Sequence, residues 1–492
     1  MKKIFLLAVL AVLPFAMKAE VKLPSVLGSN MVLQRNTEVN LWGTADAGKT
    51  VTIETSWDGA KYKVKADADG AWKVKVATGE AGGPYTISFS DGKKLVLDNI
   101  LLGEVWICGG QSNMEMPVCG FINQPVENCA EFVMNANAYP GIRMFTVARN
   151  STSEPTYDCK GEWLCSSPAS VSTFSATAYF FGLTLHKMLG IPVGLVTSNW
   201  GGSTIETWMS KEAVDAIEGI DHKLISEWKG EASEPGLLYN GMILPIKDFT
   251  AKGFIWYQGC SNRKNWFDYK ELQKGLINLW RENWGDNSMP FYITQLAPYR
   301  YEGDNLRSLP LVIEAQYQAA AELENVAVAA TTDLGHPTCI HPAKKLQVGQ
   351  RLAYLALARD YKIEGVPAAC PTYKSMEKDG STLVLSFNNL SAPYAFNDPN
   401  SFVGFGPDNT LRMAGFEIAG EDGVFYPATV RMKWWQNMIM VSSEQVPEPV
   451  AVRYAFKNYC PEANVKTNYD LPLAPFRTDN WEIPAEEIGE IR

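Results

Sequence analysis

The chain has 492 residues, of which 46% are hydrophobic and 20% are charged, a composition typical of folded globular proteins and not of disordered ones. This length exceeds what one core usually organises, so two or three domains are expected. The formal net charge is −10, and an acidic chain is a poor candidate for nucleic-acid binding, which needs a basic surface.

Residues 1–19 are typical of a secretory signal peptide. Lys2 and Lys3 precede the apolar run 4–17, and Ala19 is a small residue after which cleavage is expected. The alternative is a membrane anchor, but the run is too short to span a bilayer comfortably. We therefore expect an exported protein, periplasmic or extracellular, that has no membrane anchor.

The strand pattern of residues 20–100 predicts a small antiparallel β-sandwich. Strand-like runs at 39–42, 51–55 and 72–76 are separated by turn signals such as Asp58-Gly59 and Asp69-Gly70. Several short strands with turns between them are the usual pattern of such a sandwich.

The pattern changes in residues 101–364. Buried strand-like runs alternate here with helical stretches, the strands at 193–198, 253–258 and 327–332 and the helices at 176–189 and 269–284. This alternation predicts the α/β class, with a parallel sheet flanked by helices. Ligands of such sheets bind beyond the carboxyl ends of the strands. Strand patterns return in residues 365–492, which predicts a β-rich C-terminal region.

Histidine is scarce, which narrows the search for a catalytic base. The chain has 4 histidines, and a serine hydrolase that works near neutral pH normally needs one of them. His186 lies in a helical stretch and His222 in a polar segment, so we expect both to be structural or solvated. His336 and His341 follow a buried strand and are the candidates for the base.

Ser112 is the candidate nucleophile. It follows the apolar run 105–108 and the pair Gly109-Gly110, which lets the backbone turn sharply out of a strand and expose the hydroxyl group. The stretch does not match the G-x-S-x-G elbow of α/β-hydrolases. Two other strand ends offer glycine amides after Ser198 and side-chain amides after Trp256, and both kinds of donor suit the anionic oxygen of a tetrahedral intermediate.

Five ordered motifs make the sequence similar to a known family. They are GEVWICGGQSNMEMPV, SNWGGSTIETW, YNGMILPI, WYQGCSN and IHPAKKLQVGQRLA, and they resemble the sialate O-acetylesterases, a branch of the SGNH (GDSL-like) hydrolases. The resemblance covers most of the mature chain. It implies an SGNH-type sheet and removal of O-acetyl groups from sialic acids through a serine acyl-enzyme, without a cofactor. It further implies Ser112 as nucleophile and His341 as base, with the Ser112 amide, Gly202, Gln258 and Asn262 as oxyanion donors.

Two positions depart from the family pattern. Cys260 stands where relatives commonly carry Glu, and Cys339 where they often carry Asp. The group that orients the base is therefore open, and the alternatives are Asp333, eight residues upstream of His341, and a backbone carbonyl. A disulfide between Cys260 and Cys339 is a further hypothesis, against two unrelated buried thiols.

Other functions compete with this interpretation. His336, Cys339 and His341 are zinc-ligand types, but no fourth ligand is clearly implied, so we expect no metal. An acetylesterase acting on plant polysaccharide such as acetyl-xylan, and a non-catalytic glycan-binding protein, remain alternatives. If the substrate is a sialic acid, its carboxylate needs a cation, and Arg263 beside the Gln258 loop is the candidate.

Overall fold

The computed structural model describes residues 20–390, 394–395, 413–433 and 437–490. The predicted signal peptide lies outside the described residues. Within the described ranges, no helix combines the length and the apolar composition that crossing a membrane requires.

The N-terminal region is built mainly from antiparallel strands whose side chains alternate between core and solvent. In one of them Val39 and Leu41 are buried whereas Glu38 is exposed, which is the alternation that predicted a sandwich. The strands are β1 (Val32–Gln34), β2 (Glu38–Thr44), β3 (Thr50–Thr55), β4 (Lys61–Lys65), β5 (Ala71–Ala77), β6 (Gly82–Ser90) and β7 (Lys94–Gly110). β2 pairs with β5, and β3 pairs with β4 and β6.

The central region alternates strands and helices, as predicted. Its further strands are β8 (Ile142–Thr146), β9 (Trp163–Cys165), β10 (Val193–Asn199), β11 (Gly253–Tyr257), β12 (Phe291–Thr294) and β13 (Val326–Ala329). Its helices are α1 (Ser112–Glu115), α2 (Cys129–Met134), α3 (Pro168–Thr173), α4 (Ala176–Leu189), α5 (Lys211–Asp215), α6 (His222–Ser226), α7 (Tyr269–Trp284), α8 (Ser308–Glu322) and α9 (Lys345–Arg359). Short 3₁₀ or π turns occupy Ala136–Ala138, Glu206–Trp208, Tyr239–Ile243, Leu244–Ile246 and Cys260–Asn265.

Helices α4 and α7 have the bounds predicted from the sequence. The side chain of Ser175 accepts a hydrogen bond from the Ala178 amide at the start of α4, and Gly190 ends the helix in the left-handed conformation at φ 69°. Gly285 ends α7 in the same way, at φ 73°. These local signals explain why sequence alone located both helices.

Strand β7 joins the N-terminal region to the central sheet. Its first half pairs antiparallel with β6, and its second half lies in the middle of a sheet with the order β13-β12-β11-β7-β10-β8-β9. Every pairing along this order is parallel except that of β8 with β9. β7 therefore crosses residue 100, where the sequence pattern changed, and one continuous hydrophobic core serves both regions.

The C-terminal region is β-rich and has a core of its own, which contains Leu385, Ile418 and Val441. Its elements are β14 (Thr372–Asp379), β15 (Thr382–Asn388), β16 (Tyr394–Ala395), β17 (Phe416–Ala419), β18 (Phe425–Pro427), β19 (Thr429–Lys433), β20 (Met438–Ser442), β21 (Ala451–Tyr454), β22 (Val465–Lys466), β23 (Phe476–Arg477) and α10 (Ala485–Ile488). The predicted fold class is confirmed: an α/β sheet flanked by helices, with a β-rich region before it and another after it in the chain.

Candidate active site

Ser112 lies at the carboxyl end of the central strand. It opens α1 directly after β7, between the ends of β10 and β11, because Gly110 is in register with Asn199 on one side and Tyr257 on the other. Gly110 has φ 148°, and a Cβ atom there would lie 2.3 Å from the Tyr257 carbonyl oxygen. Only glycine fits this close approach, so the sequence Gly-Gly-Gln-Ser places the hydroxyl at the exposed edge of the sheet.

A short chain of hydrogen bonds runs from Ser112 through His341 to Gln124. The Ser112 Oγ is 2.7 Å from the His341 Nε2, and the His341 Nδ1 is 2.5 Å from the Gln124 Oε1. An amide oxygen can only accept, so Nδ1 carries the proton and Nε2 is free to accept the proton of Ser112. The Phe121 ring packs edge-on against the imidazole, with 5.1 Å between ring centroids. This is the geometry of a nucleophile and its base, oriented by a third group.

His341 is held in its neutral form. Partial burial, and next the charge of Lys345, lower the pKa of His341 to about 4. Burial also lowers the pKa of Lys345, to about 7. His341 is therefore unprotonated, and able to accept a proton, throughout the neutral pH range.

Asn113, which follows Ser112, hydrogen-bonds to the loop that carries His341. Its side-chain Nδ2 donates to the Ile340 carbonyl at 3.1 Å, and its Oδ1 accepts from the Lys345 Nζ at 2.5 Å. Ile340 precedes His341 in the chain, and Lys345 starts α9. The residue next to Ser112 thus fixes the position of the histidine loop across the sheet edge.

Two backbone amides are available to an oxyanion. Gly201 packs directly on the nucleophile, since a Cβ atom there would lie 3.3 Å from the Cβ of Ser112. Its neighbour Gly202 is exposed with φ 79°. The amides of Ser112 and Gly202 donate to no other described residue. Both remain candidate oxyanion donors.

The side-chain amides of Gln258 and Asn262 are already engaged in a buried network. The Gln258 Nε2 donates to the Ser203 carbonyl at 3.0 Å and to the Asn262 Oδ1 at 2.7 Å. The Asn262 Nδ2 donates to Glu206 and Asn265. Both side chains are fully buried, so the structure does not present them as free oxyanion donors, contrary to the expectation from sequence.

Burial raises the pKa of Glu206, at the centre of this network, to about 7, against the opposing hydrogen bonds from Asn262 and Asn265. Tyr269 completes the network by donating its hydroxyl proton to the Gln258 Oε1 at 2.8 Å. The network connects the segments that follow β10 and β11, which is a structural role rather than a chemical one.

Asp333 does not contact His341. Its carboxylate is bound by Arg351 at 2.6 and 2.8 Å and by Lys466 at 2.8 Å. Burial alone would raise the pKa of Asp333, but Arg351 and then Lys466 outweigh it and lower that pKa to about 2. Gln124 occupies the place beside the His341 Nδ1 for which Asp333 and a backbone carbonyl were the candidates.

Arg263 is unavailable to a substrate. It is 6% exposed, its Nη1 donates to Glu302 at 2.7 and 2.9 Å and to Ser308 at 3.0 Å, and its guanidinium stacks on Tyr301. A buried guanidinium that is already paired with a carboxylate has no free face for another one. The expected carboxylate site at Arg263 is therefore not present in the structure.

Cys260 and Cys339 are free thiols, so the hypothesised disulfide does not form. The Cys339 Sγ lies 3.1 Å from the His341 carbonyl oxygen and 3.7 Å from the Gln124 Oε1, beside the base. Burial raises the pKa of the Cys260 thiol, which keeps it protonated.

The zinc alternative is not supported by this geometry. Both ring nitrogens of His341 are engaged, with Ser112 and Gln124, while His336 is exposed and accepts a hydrogen bond from the Thr338 amide. No cluster of three or more metal-ligand side chains occurs in the part of the chain that the structure describes.

Sequence reasoning missed four residues of this site. Nothing in the sequence singled out Gln124, because it lies in a loop 217 residues from His341. Lys345 stood inside the motif IHPAKKLQVGQRLA but was not singled out. Glu115 and Arg149 form an ion pair beside the nucleophile, with 2.6 Å between Nη2 and Oε1. Their shared position follows only from the fold.

Comparisons with known proteins agree on one kind of enzyme. A family model described as "Carbohydrate esterase, sialic acid-specific acetylesterase" matches residues 102–358. The sialate O-acetylesterase of Mus musculus is 26% identical over 92% of this chain and 93% of its own length. That of Homo sapiens is 29% identical over 68% of this chain and 70% of its own. A crystal structure of a carbohydrate acetylesterase from Xanthomonas citri is 34% identical, covers 94% of this chain and 100% of its own, and superposes with a TM-score of 0.83.

Proposed function

The chain belongs to the sialic acid-specific acetylesterase family of carbohydrate esterases, and on that premise we propose that it hydrolyses O-acetyl esters of sialic acids through an acetyl intermediate on Ser112. Its relatives identify it as a carboxylic-ester hydrolase. The observation that supports the serine mechanism is the 2.7 Å hydrogen bond between the Ser112 Oγ and the His341 Nε2 at the end of the central strand.

In the first half-reaction, Ser112 attacks the carbonyl carbon of the acetyl group. The hydroxyl proton passes to the His341 Nε2 as the Oγ–carbon bond forms. The carbonyl oxygen becomes an oxyanion and accepts hydrogen bonds from the amides of Ser112 and Gly202. His341 then gives its proton to the sugar oxygen as the ester bond breaks, which releases the deacetylated sugar and leaves Ser112 acetylated.

In the second half-reaction, water replaces the sugar hydroxyl group. His341 takes a proton from the water molecule as the water oxygen attacks the acetyl carbon. It then returns that proton to the Ser112 Oγ as acetate leaves. The histidine serves in both halves because its ring is unprotonated at rest and is fixed at Nδ1 by Gln124. The mechanism uses only side chains and backbone amides of this chain.

The two loop histidines provide a matched test of the base. His341→Ala is expected to lower kcat on p-nitrophenyl acetate by about 10⁴-fold or more, as is Ser112→Ala, because the two residues act as one unit. His336→Ala is the control, since His336 is exposed in the same loop and contacts neither residue. Wild-type rates in either Ser112→Ala or His341→Ala would rule out the serine mechanism. Loss of activity in His336→Ala would show that the effect of removing a histidine from this loop is not specific to His341.

The substrate is tested by direct competition. Acetate release would be compared between O-acetylated sialic acid and acetylated xylo-oligosaccharides at equal ester concentration. A higher kcat/KM on the sialic acid is expected. A preference for the xylan ester would favour the plant-polysaccharide esterase. Binding of either sugar without any acetate release would favour the non-catalytic glycan-binding protein.

We further propose that the protein is exported to the periplasm or the extracellular space, on the strength of the signal-like pattern in residues 1–19. N-terminal sequencing of the protein recovered outside the cytoplasm is expected to begin near Glu20. Recovery of the uncut chain in the cytoplasm alone would contradict export.

A further inference from the structure

A half-exposed arginine is paired with a glutamate on α1, the helix that begins with Ser112. The Arg149 side chain is 50% exposed, and its Nε and Nη2 donate to the Glu115 Oε1 at 2.9 and 2.6 Å. Its guanidinium lies over the Trp200 ring, 5.0 Å from the centroid. The ion pair and the ring hold the guanidinium in one orientation, while its Nη1 donates to no described residue.

Glu115 and Gly201 lie between this arginine and Ser112. Glu115 stands three residues after Ser112 on α1, so their side chains share one face of the helix. The Glu115 Oε2 accepts from the Gly201 amide at 2.8 Å. A Cβ atom on Gly201 would lie 3.1 Å from that oxygen and 3.3 Å from the Ser112 Cβ. Arg149 thus contacts the side chain that bonds to the glycine packed on Ser112.

We propose that Arg149 binds the carboxylate of an acidic sugar and so selects acidic over neutral acetylated sugars. This inference rests on the proposed esterase function and names the residue that gives it specificity. A planar guanidinium fixed by Glu115 and Trp200 presents its free edge to a carboxylate with little further loss of conformational freedom.

Two other cations of the site, Arg263 and Lys345, are not accessible to a substrate. Arg263 is buried and paired with Glu302. Lys345 is buried beneath Asn113, to which its ammonium donates a hydrogen bond. Arg149 combines a half-exposed guanidinium with direct contacts to the loop that packs on Ser112.

The test isolates the charge of the sugar from every other feature. Two substrates would be compared: 9-O-acetyl-N-acetylneuraminic acid and its C1 carboxamide, which differ only in the carboxylate. Wild type is expected to prefer the carboxylate in kcat/KM by about 10- to 100-fold, the worth of a charge-assisted hydrogen bond. In Arg149→Met this preference is expected to fall to about 1, and in Arg149→Lys to an intermediate value, because lysine keeps the charge but loses the planar fork.

The preference is the ratio of the two kcat/KM values measured with the same protein. A shifted loop that lowers activity on both sugars therefore leaves this ratio unchanged. Lys378→Met is the matched control, because Lys378 is a 43% exposed cation paired with Glu448 in the C-terminal region. It is expected to keep the wild-type preference. Equal rates of wild type on the two sugars, or an unchanged preference in Arg149→Met, would overturn the proposal. Failure of the esterase function itself would appear differently, as acetate release from neither sugar.

Discussion

Replacing Gln124 by glutamate changes the charge beside His341 while keeping the length of the side chain. In the wild type a neutral amide oxygen lies 2.5 Å from the His341 Nδ1, and the pKa of His341 is lowered to about 4. In Gln124→Glu the same position holds a carboxylate. An adjacent negative charge favours the imidazolium form, so the pKa of His341 is expected to rise.

The size of the effect follows from the contact distance. A carboxylate within about 4–6 Å shifts a pKa by about 1–3 units, or about 1.4–4 kcal/mol in favour of the protonated ring. Since the base must be unprotonated to accept the Ser112 proton, kcat/KM falls on the acid side of this pKa. Its half-maximal pH is therefore expected to move from near 4 in the wild type to about 5–7 in Gln124→Glu.

The assay is the pH dependence of kcat/KM on p-nitrophenyl acetate between pH 3 and 9. Gln124→Met separates charge from position: it removes the acceptor at Nδ1 and is expected to lower the rate by about 10- to 100-fold without moving the acid limb upward. Gln445→Glu adds the same charge at an exposed site in the C-terminal region and is expected to leave the profile unchanged. An acid limb of Gln124→Glu that coincides with that of the wild type would refute the contact between Gln124 and His341.

Three further substitutions test other parts of the site. Lys345→Met removes a charge that lowers the pKa of His341, so the acid limb of kcat/KM is expected to move to higher pH; an unmoved limb would argue against that coupling. Gly201→Ala forces a Cβ to 3.3 Å from the Ser112 Cβ and is expected to lower kcat about tenfold with little change in melting temperature. Asp333→Asn breaks a buried ion pair and is expected to lower the free energy of unfolding by about 3–5 kcal/mol in urea titrations at pH 7. This deficit should shrink as the pH falls from about 4 towards 2, where the wild-type carboxylate also becomes protonated, and the pH profile of kcat/KM should not change.

The sequence alone determined the features that depend on neighbouring residues. Helices α4 and α7 have the bounds that the sequence predicted, because the signals that form and end a helix act within one or two turns. The pair Gly109-Gly110 marked a strand end where a nucleophile can be exposed, because the steric demand for glycine is local. With only 4 histidines in the chain, the candidates for a base were few before any fold was known.

Only the tertiary structure decided which groups meet. Gln124 contacts a histidine 217 residues away, and nothing in its own polar loop indicated this role. Gln258 looked like a free donor from its place after a strand, but the fold supplies it with the Ser203 carbonyl and the Asn262 oxygen, which use up its amide hydrogens. A polar group bonds to whichever partners the fold brings within about 3 Å, and strand-end position does not reveal them.

Arg263 and Arg149 show most clearly that local sequence does not reveal which charges are accessible. Arg263 directly follows the motif WYQGCSN and was the expected cation for a substrate carboxylate, yet it is buried and must pair with Glu302 because an unpaired buried charge is too costly. Arg149 lies outside all five motifs, but the fold leaves it half-exposed beside the loop that packs on Ser112. Local chemistry made Ser112 a candidate nucleophile and His336 and His341 candidate bases, and the family resemblance favoured His341. The accessibility of each charge, in contrast, is set by packing over the whole chain.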